Sequence, residues 1–192
     1  PPRSSWLRPD VVTDAVEILG TTLRVAGAAT LLVAPIGIAV GYLLARRAFA
    51  GKSVLETCVA LPLVLPPTAI GYVLLALFAR NGWLGERRLG FDPGVLFTWR
   101  AAVLASAVVS FPLVARTARA AFEGVEPRLE LMARSLGWPR ARTFASVTLP
   151  LARRGLLAAI ALGFARALGE FGATIVVAGN IPGRTQTLSL AI

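Results

Sequence analysis

The chain has 192 residues, 56% of them hydrophobic, with a mean hydropathy of +0.70 and a formal charge of +10, too apolar for an ordinary soluble domain and fitting a polytopic membrane protein. One cysteine and no histidine exclude an intrachain disulfide and a cysteine-based metal cluster, and remove the commonest general base and metal ligand. The pI near 11.6 suggests nucleic acid as a partner, but the arginines bracket long apolar runs as membrane-flanking charges do, so nucleic-acid binding is rejected.

Residues 1–17 are polar and the first apolar run is already span-length, so no secretory signal peptide is expected. The first residue is not Met, which reads as a fragment. A first span, at about 18–45, centres on residues 25–45, which carry no charge between Arg24 and Arg46-Arg47. Gly37-x-x-x-Gly41 permits close helix approach, and Pro35 is expected to kink the span. Gly51-Lys52-Ser53 matches the end of a phosphate-binding loop, but Arg46 stands where its first glycine belongs, so no nucleotide site is read.

The second span, at about 55–79, contains Pro62, Pro66, Pro67 and Gly71. Three prolines cannot share one straight helix, and a broken helix at membrane depth must be buried in protein or line a cavity. The bland reading is a structural kink; the functional one is backbone lining a translocation path. A loop with Trp83 and Trp99 near its ends precedes a short third span at about 97–118, where Ala102, Ser106 and Ser110 form a ridge of small residues suited to the bundle interior.

Residues 119–150 form the long polar interval of the chain and read as two short helices joined at a corner. Glu126-Pro127 starts the first, and Leu129, Met132, Ala133 and Leu136 fall at i, i+3, i+4 and i+7 as an apolar stripe. Glu130 and Arg134 stand at i, i+4 on another face, and Gly137 and Pro139 form the corner. A helix this short needs a packing partner, either the chain's own spans or a groove on a second protein. A fourth span, at about 151–177, contains Arg166 and Glu170 one turn apart, expected to pair because an unpaired charge at membrane depth is costly. Residues 185–192 begin another segment that stops before it could span. Residues 116–154 hold eight of the twenty basic residues, which marks them cytoplasmic and puts the amino terminus outside; Arg80, Arg87, Arg88 and Arg100 then fall in an external loop, against the usual bias.

Gly137, nine residues, Val147, one residue, then Leu149-Pro150, led in by Glu130-x-x-Ala133-Arg134-x-Leu136-Gly137, resembles the EAA loop of ABC importer membrane subunits. Met132 stands where that pattern usually has a second small residue. Pro62-Leu-Val-Leu-Pro-Pro67, Ser110-Phe-Pro112, Gly169-Glu-Phe-Gly-Ala173 and Gly179-Asn-Ile-Pro-Gly-Arg-Thr185 extend the resemblance over nearly the whole chain, to the permeases of molybdate importers. Sulfate/thiosulfate permeases share Gly-Glu-Phe-Gly and Gly-Asn-x-Pro and are the alternative.

The resemblance implies an all-α polytopic bundle of the type I ABC importer permease kind, one domain over residues 1–192, in the cytoplasmic (inner) membrane of a prokaryote. It implies a homodimer working with an ABC ATPase subunit and a periplasmic or extracytoplasmic oxyanion-binding protein, importing molybdate or tungstate by alternating access. It implies that no cofactor binds this chain, ATP and Mg being held by the ATPase. Glu130, Met132, Ala133, Arg134, Leu136, Gly137 and Pro150 are then candidates for coupling to the ATPase, and Pro62, Pro66, Pro67, Gly71, Arg166, Glu170 and Phe171 for the translocation path. A further carboxy-terminal span usually follows in that family. The rival classes are an intramembrane enzyme, for which Ser106, Ser110 and Lys52 supply no paired nucleophile and base, and a plain membrane anchor, which leaves the loop spacing unexplained.

Overall fold

The computed structural model describes residues 9–91 and 94–191, and all regular structure among them is helical. Residues 1–8 of the polar start, and Ile192 of the last segment, lie outside the described residues. In chain order the helices are α1 (Pro9–Arg46), α2 (Lys52–Val64), α3 (Pro67–Phe78), α4 (Glu86–Leu89), α5 (Trp99–Glu123), α6 (Pro127–Ser135) and α7 (Arg140–Thr143). A π-helical turn (Phe144–Thr148), α8 (Leu149–Leu168), α9 (Gly172–Val177) and α10 (Leu188–Ala191) complete the order. Three runs are long and apolar enough to cross a membrane: Ala15–Arg46, Trp99–Glu123 and Arg140–Leu168. The pair α2 and α3, bent by 109°, makes a fourth if counted as one broken span.

Helix α5 lies at the centre, with Ala102, Ser106 and Ser110 buried as the small-residue ridge requires. Between helices in lipid there is no hydrophobic driving force, so association rests on close contact. Glycines make that contact possible. A Cβ on Gly37 would stand 2.8 Å from Val114 Cγ1, and one on Gly41 would stand 2.8 Å from the Ala115 carbonyl oxygen. On the other side of α5, Gly155 of α8 lies against Ala121 and Gly163 against Val114. Val114 is therefore held between α1 and α8 at two positions where only glycine fits. Large apolar side chains such as Leu31, Tyr72 and Leu157 point outward instead, as a lipid-facing surface demands.

Several boundaries differ from the sequence expectation. α1 begins at Pro9, well before the expected start near 18, and its helical hydrogen bonding continues past Pro35. The span expected at 55–79 is two helices, because consecutive prolines push each preceding residue out of the helical region: Leu65 and Pro66 are both extended, with ψ of 140° and 137°. The second helix of the corner is not short. It starts at Arg140 and continues through Pro150, whose ring would clash with a tight preceding turn; the wider π turn, closed by Leu149 N–H to the Phe144 carbonyl, supplies the room. The interval read as loop, 119–150, accordingly contains the end of α5 and the start of this helix.

The fourth span, expected at 151–177, also departs from a single helix. α8 stops at Gly169 and α9 restarts at Gly172, where the Glu170 carboxylate reaches forward to accept the Ala173 N–H of the first turn of α9 at 2.8 Å. The segment beyond folds onto the bundle. Leu188 N–H donates to Thr22 Oγ1 on α1 at 2.9 Å, and Ser189 Oγ donates to the Glu170 carbonyl at 2.7 Å.

Candidate functional site

The corner between α6 and α7 is built by backbone chemistry. Pro127 occupies the first position of α6, where no N–H is needed. At the other end Gly137 takes φ 84°, the Gly137 N–H bonds the Arg134 carbonyl, and the Trp138 N–H bonds the Ala133 carbonyl. That pair of bonds is a Schellman closure, which needs a left-handed residue and so favours glycine. The Arg142 guanidinium then lies 4.4 Å over the Trp138 ring, tying the second helix to the turn.

The apolar stripe divides. Ala133 is buried against the protein, whereas Leu129, Met132 and Leu136 face outward at 40%, 65% and 79% exposure. Leu131, outside the i, i+3, i+4, i+7 pattern, is exposed as well and joins Met132 and Leu136 along an open concavity of about 510 Å³. Pro150 is exposed too, but lies on α8 just beyond the π turn, not in the corner.

The expected pairing of Glu130 with Arg134 is not the one observed. Arg134 stays exposed, where an ion pair gains little, and Glu130 turns inward. Its Oε1 lies 2.9 Å from Arg46 Nη2 and accepts the Thr148 hydroxyl at 2.8 Å; the same Arg46 nitrogen donates to the Val125 carbonyl at 2.9 Å. One carboxylate thus joins α6 to the end of α1 and to the π turn. Beneath it Tyr42, Phe122 and Phe144 pack edge-on and tilted, with centroids 4.9–6.3 Å apart, so α1, α5 and the π turn share one aromatic layer.

The elbow has two environments. Pro66 is exposed, while Pro62 and Pro67 are half-buried. Gly71 is buried with α9 against it, the position of its absent Cβ lying 2.8 Å from the Ala173 carbonyl oxygen; Gly172 stands equally close to Pro67. At the carboxy-terminal end of α8, Arg166 Nη1 and Glu170 Oε2 form the expected i, i+4 pair at 2.7 Å, with Glu170 only 3% exposed. Phe171 between α8 and α9 is half exposed. Sequence reasoning missed Arg46, Thr148, Thr22 and Ser189, whose partners are remote in the chain; Arg46 read simply as the charge closing a span.

A molybdenum transport system permease protein of Escherichia coli strain K12 is 48% identical over 172 residues, covering 89% of this chain and 75% of that one. A sulfate transport system permease protein of Salmonella typhimurium is 38% identical over 191 residues, covering 98% and 69%. A crystal structure of an amino acid ABC transporter shares the fold at TM-score 0.62 and 23% identity, over 87% of this chain and 72% of that chain. A family model matches residues 37–192, and the chain belongs to the family of binding-protein-dependent transport system inner membrane components.

Proposed function

We propose that this chain is the permease subunit of a molybdate importer, working as a homodimer with an ABC ATPase and an oxyanion-binding protein on the outer side of a prokaryotic cytoplasmic membrane. The observation that carries the docking role is the exposed apolar face of α6, Leu129, Leu131, Met132 and Leu136, on a helix fastened from within by Glu130. Ala133, Arg134, Gly137 and Pro150 shape and flank that surface. Apolar side chains on a basic loop need a groove to cover them, and ATP and Mg belong to the subunit that provides it. The chain itself does no covalent chemistry. Closure of the ATPase pair moves α6, the Glu130 carboxylate passes the displacement to α1 and the π turn, and the bundle rocks between inward- and outward-facing states. The path runs between the two copies beside Pro62, Pro66, Pro67 and Gly71, with Arg166, Glu170 and Phe171 at its outer part.

Molybdate is favoured over sulfate by the greater similarity to the molybdenum permease. Uptake of labelled molybdate into vesicles containing the complete importer, with tungstate and sulfate in competition, tests the assignment. Tungstate is expected to compete at equal concentration and sulfate only in large excess. Equal competition by sulfate transfers the chain to the sulfate/thiosulfate class.

A further inference from the structure

At the end of the bundle opposite the corner, three arginines from three separate elements face one cavity. Arg24 lies on α1, Arg100 in the first turn of α5, and Arg184 in the turn after α9; Thr21, Thr98 and Trp99 complete the wall of a space of about 670 Å³. Arg24 and Arg46 lie on the same helix, about 33 Å apart at ~1.5 Å per residue, so this cavity sits one membrane thickness from the Glu130 junction. Among the described residues, no carboxylate forms an ion pair with any of the three. Glu17, near Gly183, lines the adjoining concavity instead.

We propose that Arg24, Arg100 and Arg184 form an anion-receiving vestibule at the outer mouth, which holds a hydrated tetrahedral dianion before it enters the path. The proposal deepens the importer reading and rests on its orientation of the chain. Positive charge at this end runs against the bias that places arginine on the cytoplasmic side. A gathered cluster with a common cavity accounts for Arg100, where scattered flanking charges do not. The space far exceeds one bare oxyanion, so the guanidinium groups attract through water instead of stripping the hydration shell. A concave site lined by one sign of charge raises the local concentration of the opposite ion by about 10- to 1,000-fold at low salt. Loose, fast-exchanging attraction suits a path that the anion must leave again.

Trp99 in the wall supplies a probe. The permease with its ATPase subunits is placed in nanodiscs of zwitterionic lipid and titrated with molybdate, tungstate or sulfate at constant ionic strength. Trp99 emission is taken as the difference from a Trp99→Phe preparation. A saturable change with dianions, absent with chloride, is expected. Arg24→Gln, Arg100→Gln and Arg184→Gln should each weaken it about fivefold, the scale of one partly screened charge contact. The triple variant should lose the response while still co-purifying with the ATPase. A response to sulfate alone supports the vestibule and counts against molybdate as the substrate. The proposal is overturned if no dianion gives a response in a preparation that still transports. It is also overturned if the response requires anionic lipid, or if the arginine variants lose only their docking to the binding protein.

Discussion

At the scale of single residues, one buried carboxylate, Glu170, and one partly buried, Glu130, each join separate parts of the bundle. Glu170 accepts from Arg166 with one oxygen and from the Ala173 N–H with the other, while its carbonyl receives Ser189. Removing Arg166 leaves a carboxylate almost wholly buried with one backbone donor. On insertion scales a stranded charge costs about 2.5–3.5 kcal/mol at the helix centre. Arg166→Ala should therefore lower the yield and thermal stability of the assembled permease more than Arg166→Ala/Glu170→Ala does. Arg166→Lys should fall between, since an ammonium keeps the charge but not the planar fork. Thermal shift and size-exclusion profiles of the three variants measure this. A double variant no better folded than the single one removes the structural role of the pair, and equal loss of transport with intact assembly places Arg166 in the path.

Among the elements, α6 shows how far short-range rules reach. Its start at Pro127 and its end at Gly137 are both legible in the chain, because each depends on backbone chemistry within a few residues. Which apolar side chains stay exposed, and that Glu130 turns to Arg46 and not to Arg134, depends on where α1 and the π turn lie, and no local spacing encodes that. Gly137→Val puts a β-branched residue at φ 84°, a conformation that costs roughly 1–2 kcal/mol or more. The Schellman closure should open, and Glu130→Lys should break the Arg46 junction by like charge. Both variants are expected to insert and dimerise yet to hydrolyse ATP without import. Normal import by both in vesicles removes α6 from the coupling role.

At the scale of the whole molecule, the α2–α3 elbow presents an exposed tip, residues 64–66, and a buried arm at Gly71. If the elbow lines a path between two copies, reactivity should divide along the same line. Single cysteines at 64–70, in a background with the exposed Cys58 replaced by Ser, are probed with a membrane-impermeant thiol reagent. Positions 64–66 are expected to change their labelling rate several-fold between nucleotide-free and ATP-trapped states, and Ile70→Cys, at a buried position, to stay protected. Uniform protection in both states would take the elbow out of the path.

The class of protein and the punctuation of its chain are legible in the residues alone. Uncharged runs of span length, adjacent prolines and Gly137 act through hydrophobic burial and backbone sterics, which are local and need no knowledge of neighbours. The sequence also foretold that Gly37 and Gly41 would admit a close neighbour, though not that the neighbour is α5. The packed bundle was needed to show that α8 stops at Gly169, that Pro150 is absorbed by a π turn, and that the last segment folds back onto Thr22. It alone brought Arg24, Arg100 and Arg184 to one cavity. Those outcomes depend on which polar groups find partners across the bundle. For the fold-back onto Thr22 and the three arginines those partners come from segments widely separated in sequence, whereas the π turn and the α8 stop are closed by contacts three to five residues apart whose choice the packing decides.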